Sequence, residues 1–243
     1  MRKLSGGNFI FILFLIYMVY RSFQSGTFDN PGTWLFLTLL KLPAIVIGIT
    51  FHEFAHAYSA YKLGDQTPKA QKRVTLNPLS HIDPIGIIAL IFIGFGWGRP
   101  VQVNPLAFRK NLRLSNLIVD VAGVATNFVI AFVCTGLLLL TDGGILTFLL
   151  AFIVYFNLVL MLFNLLPIPP LDGFGIITEI FGLRRFSWHR PLYNYGTIIL
   201  LAVIVFGIVG VLLGPVLSSL LRFLGDIWGV DLNLILAYIF RLL

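Results

Sequence analysis

Residues 34–61 form an apolar run long enough to cross a bilayer, and its second half carries His52-Glu53-Phe54-Ala55-His56. The hydrocarbon core demands about 20 mainly apolar residues whose backbone groups bond within their own segment, so this stretch is constrained to be a helix. On a helix, residues four apart share one face, and His52 and His56 can aim their imidazoles at one point. Glu53 lies a fraction of a turn away, where its carboxylate can reach a water held at that point.

Ionisable groups within a span are costly and normally mark a functional site. Two neutral imidazoles beside a carboxylate form the donor set of a hydrolytic zinc centre, in which the nitrogens hold the ion and the carboxylate acts as base. The chain has only 4 His in 243 residues, and a chance match to the pattern is on the order of 0.0005, small against the usual risk of short motifs. A solvated helix face does not fit flanks such as Leu42-Pro43-Ala44-Ile45-Val46-Ile47-Gly48.

The chain is 58% hydrophobic and 11% charged, with a mean hydropathy of +0.94; soluble domains carry about 25% charged residues. The composition predicts an all-α polytopic membrane protein forming one integral membrane domain over residues 1–243. Its parts are an N-terminal span and loop (1–33), a core (34–195) and C-terminal spans (196–243). A net charge of +7 invites a nucleic-acid reading. The basic residues, however, cluster in loops beside apolar runs, which fits anionic lipid and excludes nucleic acid as the partner. Cys134 is alone and forms no internal disulfide. Met1-Arg2-Lys3 precedes an apolar run with no small-residue cleavage site, which reads as an uncleaved first span.

About five to six transmembrane helices are expected. The first covers residues 8–20 and the second residues 34–61, where Pro43 and Gly48 permit a bend. Residues 62–84 are polar, and the alternation in Lys72-Arg73-Val74-Thr75-Leu76 suggests a short strand or hairpin. Residues 86–97 are apolar but too short to cross, which suits a re-entrant segment on the cytoplasmic side. Further spans are expected at 115–140, 145–166 and 196–213, with a polar connection over 171–195. Residues 232–243 are ambiguous between a short crossing and an interfacial helix. Lys and Arg concentrate at the N-terminus, in residues 62–113 and around Arg184, Arg185 and Arg190. That distribution places the N-terminus in the cytoplasm and the loops near Asp29 and Asp142 outside. His52 then lies roughly 15 Å from the inner end of its helix, nearer the cytoplasm.

A catalytic zinc site needs a third protein ligand. Asp172 is the best placed, because it follows a span broken by Pro167, Pro169 and Pro170, and irregular backbone at membrane depth can present a side chain to a cavity. One carboxylate with two neutral imidazoles lowers the net charge of a divalent ion to +1, which suits a low-dielectric site. A turn or cap role before Gly173 is the plain alternative. His81 and Asp83 could approach the metal from the basic loop, and Glu179 could replace Asp172. His189, beside Trp188 and Arg190, reads as an interfacial residue.

His52-Glu53-Phe54-Ala55-His56, followed by Asn164-Leu165-Leu166-Pro167-Ile168-Pro169-Pro170-Leu171-Asp172-Gly173, resembles the site-2 protease family of intramembrane zinc metalloproteases. The segments from Thr75 to Gly86 and from Gly96 to Val101 resemble its compact branch, which lacks a PDZ domain. The resemblance covers roughly residues 45–175. It implies one zinc ion per chain held by His52, His56 and Asp172, with Glu53 as the catalytic base. It also implies that Asn127, in Gly123-Val124-Ala125-Thr126-Asn127, donates to the oxyanion. A proline commonly follows that glycine in the family, and Val124 stands there in this chain. Asp120 has no place in the pattern.

The expected function is an intramembrane zinc endopeptidase of the cell membrane. It would hydrolyse peptide bonds in or near transmembrane segments of protein or peptide substrates, for regulated proteolysis or for clearance of membrane peptides. Two other classes fit the motif alone: a zinc-dependent scaffold or metal carrier, and a membrane peptidase of the prenyl-protein type with Glu179 as ligand. The sequence specifies no oligomeric state.

Overall fold

The computed structural model describes residues 6–26, 28–93, 96–109 and 111–241. The basic N-terminal residues Met1, Arg2 and Lys3, the loop residue Lys110, residues 94–95 of the re-entrant segment and residues 242–243 lie outside that set. The described chain is helical: α1 (Gly6–Gln24), α2 (Pro31–Leu63), a single turn α3 (Thr67–Ala70), α4 (Pro84–Ile93), α5 (Leu112–Leu137), α6 (Ile145–Asn164), α7 (Asp172–Phe181), α8 (His189–Val205), α9 (Ile208–Trp228) and α10 (Leu232–Arg241). Among the described residues, four helices are long and apolar enough to cross a membrane: α2, α5 with its 3-10 extension to Leu140, α6 and α9. The first expected span corresponds to α1, which is 19 residues long.

Local chemistry sets the ends of the helices that build the site. The Asn30 side chain accepts from the Thr33 amide ahead of Pro31, the first residue of α2, and Pro at this position has no amide to leave unbonded. At its other end α2 stops on Gly64, whose amide bonds to the carbonyls of Ala60 and Tyr61. Asn111 caps α5 by accepting from Leu114. At 33 residues, α2 runs about 50 Å, well beyond a hydrocarbon core of about 30 Å, so its far end leaves the apolar layer.

Helices α2, α5 and α6 form the central unit. Ala44, Ala131 and Ala151 have no exposure at their contacts, and Phe152, Val154 and Leu158 fill the space between them. Small residues let membrane helices approach closely, where packing supplies the attraction that apolar burial supplies in water. At one end of this unit Leu232, Leu236 and Ile239 of α10 join the cluster containing Leu37, Leu40 and Leu150. The ten residues of α10 span only about 15 Å. That is half of a hydrocarbon core of about 30 Å, and the helix packs against α6 and α9.

The chain segments that flank α4 come back together. Ile82 and Gly98 form an isolated antiparallel bridge, and the Arg99 amide donates to the His81 carbonyl at 2.7 Å. The start of α4 and the end of the returning segment therefore sit side by side. Three expectations are corrected. Residues 72–76 form no strand. Lys72 is left-handed at φ 56°, and the amides of Arg73 and Thr75 bond locally to Pro68 and Arg73 carbonyls, so no ladder can start there. Residues 171–195 are not a plain connection, since they contain α7 and the start of α8. The span expected at 196–213 is cut at Gly207, whose φ of 70° is the conformation glycine adopts without strain. The long apolar helix begins after that break.

A loop anchor gives a direct test of the non-helical segments. Asp65 has no exposure and accepts from the amides of Thr67 at 2.9 Å and Asn104 at 2.7 Å. Asp65→Ala removes both acceptors and is expected to cost about 1–3 kcal/mol, read as a lowered thermal midpoint in detergent. Gln102→Ala, at the exposed Gln71–Gln102 pair, should stay within about 0.5 kcal/mol. Equal losses from the two variants would contradict the anchoring role.

Candidate metal centre

Helix α2 presents His52 and His56 one turn apart, with ring centroids 4.6 Å apart and planes at 84°. Both rings are buried, at 6% and 9% exposure. The Nδ1 of His56 lies 2.7 Å from the Val119 carbonyl; a carbonyl only accepts, so Nδ1 carries the hydrogen and Nε2 keeps a lone pair. The Nδ1 of His52 lies 2.6 Å from Asn127 Oδ1 and likewise donates. The two Nε2 atoms face each other at 3.0 Å. Asp172 Oδ2 lies 3.2 Å from His52 Nε2 and 3.4 Å from His56 Nε2, and it is buried with no hydrogen-bond donor of its own.

Three potential ligand atoms, two imidazole nitrogens and one carboxylate oxygen, thus converge on one point. A tetrahedral zinc ion with bonds of about 2.0–2.2 Å spaces its ligands by about 3.3 Å, and the three observed separations fall around that value. His52, His56 and Asp172 therefore fit a divalent metal, and among the described residues they are the one group of this kind.

Asp172 reaches the imidazoles because the chain leaves helix after Asn164 and re-enters it at α7, with Asp172 as the first residue. Leu171 is extended, at φ −71° and ψ 155°, and its amide bonds to the Ile168 carbonyl. Helix α7 is clasped to α5 at its far end. Arg113 donates to the carbonyls of Glu179 and Ile180, and the buried Glu179 carboxylate accepts from Arg184 at 2.7 Å and Asn116 at 3.0 Å. On the facing side Gly123 of α5 lies under both rings. A Cβ there would sit 2.5 Å from His56 Nε2 and 2.6 Å from His52 Cε1, so only glycine leaves the rings their place.

Glu53 Oε2 accepts from the Val101 amide at 3.0 Å, which ties the carboxylate to the extended segment after the re-entrant turn. Glu53, the three converging residues and Val101 line an open cavity of about 860 Å³. Asp120 also lines it, with its carboxylate against Gly175. Asn127 does not. It has no exposure, and its amide hydrogens go to Gly48 and Asn157 carbonyl oxygens at 3.2 and 2.8 Å. The expected oxyanion donor is turned toward His52 in this geometry, with no hydrogen left for the cavity.

The other candidates are occupied elsewhere. Glu179 holds Arg184 and Asn116, which removes it from ligation. His81 has no exposure and bonds through Nε2 to the Thr75 carbonyl. Asp83 accepts from Ile85 and Gly86 at the start of α4. His189 stacks on Phe174 at 5.3 Å and pairs with Thr178. The sequence reading missed Asn157, although a lone amide inside the apolar run of α6 is itself a signal. It also missed the roles of the Val119 carbonyl and Val101 amide, which carry no side-chain signature.

Two outcomes follow for metal content. Asp172→Ala should lose the bound divalent ion, with Glu179→Gln retaining wild-type stoichiometry by metal analysis; the reverse ranking would move the third ligand to α7's far end. Gly123→Ala should sharply lower metal occupancy, because its methyl group meets both rings. Full occupancy in that variant would show that the rings can yield.

Comparison with known proteins agrees with this centre. Residues 140–211 match the model of Peptidase family M50. YwhC of Bacillus subtilis, provisionally named a zinc metalloprotease, is 40% identical over 200 residues, covering 76% of this chain and 91% of the relative. Rip2 of Mycolicibacterium smegmatis, named in the same way, is 28% identical over 182 residues, covering 72% and 70% respectively. Rip2 of Mycobacterium tuberculosis is 30% identical over 162 residues, covering 63% and 61%. No solved structure matches the chain. The chain belongs to Peptidase family M50, the site-2 protease family, and is a membrane zinc metalloprotease.

Proposed function

We propose that this chain hydrolyses peptide bonds in or beside transmembrane segments of membrane proteins or membrane peptides, for regulated proteolysis or clearance. The observation that carries the reading is the convergence of His52, His56 and Asp172 on one point at the edge of an open cavity shared with Glu53. Bound there, zinc supplies Lewis-acid polarisation of a carbonyl and a water acidified toward neutral pH. His52 and His56 keep their Nε2 lone pairs inward because Nδ1 of each ring is spent on a carbonyl-type oxygen. Glu53 Oε2 is held by Val101, which leaves Oε1 to take a proton from water and return it to the departing amine.

A helical substrate hides its carbonyls in its own hydrogen bonds and must unwind to be cut. Residues 99–103 are in no helix or strand, the Val101 amide bonds to Glu53, and the Val103 backbone takes no hydrogen bond among the described residues. That backbone can hold an unwound segment by strand pairing. The bilayer is the working environment. We place the chain in the cell membrane as one integral domain, with its N-terminus and the cavity mouth on the cytoplasmic side. Basic Lys69, Lys72, Arg73, Arg99 and Arg109 in the loop after α2 support that orientation, as do Arg184, Arg185 and Arg190. The net charge of +7 is accounted for by such loops, and nucleic acid has no part in the reading.

Glu53→Gln tests the proposal, because it removes the base and keeps the shape. Cleavage of a single-span reporter in proteoliposomes should fall at least about 10³-fold, in line with loss of an essential proton-transfer group, with zinc content unchanged. Full cleavage by this variant would refute the assigned chemistry. Zinc flux across vesicles without cleavage by the wild type would favour a carrier.

A further inference from the structure

Asn157 lies inside α6, where a buried amide is tolerated only when its polar atoms are bonded. Asn157 and Asn127 both have no exposure, and they form a chain of hydrogen bonds with an enforced direction. The Ile153 carbonyl only accepts, so Asn157 must donate to it through Nδ2, at 2.8 Å. That turns Asn157 Oδ1 toward Asn127 at 2.8 Å. This oxygen also only accepts, so Asn127 must present Nδ2, which donates to the Gly48 carbonyl as well, at 3.2 Å. Asn127 Oδ1 is thereby left facing His52 Nδ1 at 2.6 Å, and the ring nitrogen must supply the hydrogen.

We infer that Asn157 is a positioning residue of the metal centre, fixing the direction of the Asn127 amide so that His52 keeps its Nε2 lone pair for the metal. The inference rests on the metal-centre reading above. A flipped Asn127 would point Nδ2 at His52 Nδ1, move the ring hydrogen to Nε2 and close the ligand position. His56 needs no such device, since its partner is the Val119 backbone carbonyl, which cannot exchange a donor for an acceptor. The two ligands are therefore supported differently: a fixed carbonyl under one, and under the other a reversible amide locked by a second amide on a third helix. Without Asn157, Asn127 Nδ2 would keep only the longer of its two bonds, to Gly48.

The test is zinc affinity of the full chain in detergent, measured by chelator competition, with no activity required. Asn157→Leu should weaken zinc binding by roughly 10–100-fold, the usual effect of losing outer support of a ligand. Asn157→Ala adds no bulk, should do the same, and serves if the leucine variant fails to fold. In an Asn127→Asp background the dependence should vanish, because a carboxylate accepts from His52 Nδ1 through either oxygen and has no direction to fix. A merely structural role for Asn157 predicts the same loss in both backgrounds. That result, or unchanged affinity in the wild-type background, overturns the inference. A wild-type chain that holds no zinc would instead remove the metal-centre reading, and the inference with it. A chain that holds zinc but cleaves nothing would overturn only the proposed proteolysis.

Discussion

Two imidazole nitrogens and a carboxylate oxygen lie within 3.0–3.4 Å of one another, the spacing of ligands around one ion. Contacts from three directions hold them there: Asn127 and Val119 of α5 against the outer ring nitrogens, and α7 carrying Asp172 into place. Groups already set at ligand spacing need little reordering when a cation binds, so part of the affinity for metal is built before the metal arrives.

That preorganisation depends on close approach more than on apolar burial, which counts for little between lipid and protein. Gly123 brings α5 against both rings. The clasp of Arg113, Asn116 and Arg184 around the last turn of α7 fixes that helix about two turns from Asp172. Glu179 is thus a structural carboxylate, and Asp172, on the same helix, is free to be a ligand. The division follows from which end of α7 meets basic side chains and which end meets imidazoles.

The spans through residues 164 were legible because apolar length and the four-residue spacing of His52 and His56 are local properties that tertiary packing preserves. Asp172 was legible once the proline-broken segment was weighed with the family resemblance. Residues 72–76 misled because alternation alone does not make a strand; left-handed Lys72 and local amide bonds decide otherwise. The break at Gly207 was invisible because apolar composition runs through it unchanged and only backbone φ records it. Residues 171–195 looked like a connection because α7, at 10 residues, is too short to register as a span. The Asn127 side-chain direction was not legible, because it depends on Asn157 and Gly48, which no spacing rule connects to it.

The partners of the two histidines also suit the medium. In many zinc sites the outer ring nitrogen meets a carboxylate, which raises ligand basicity. Here both partners are neutral dipoles, an amide and a backbone carbonyl. A carboxylate at either position would add a further negative charge beneath the rings, away from the cavity and from water, and intramembrane charges are costly. With neutral supports, one carboxylate ligand leaves a divalent ion at net +1. The remaining compensation falls to Glu53, on the cavity side where water can reach it. Under the proposed chemistry the same Glu53 carboxylate would both offset that charge and accept the proton.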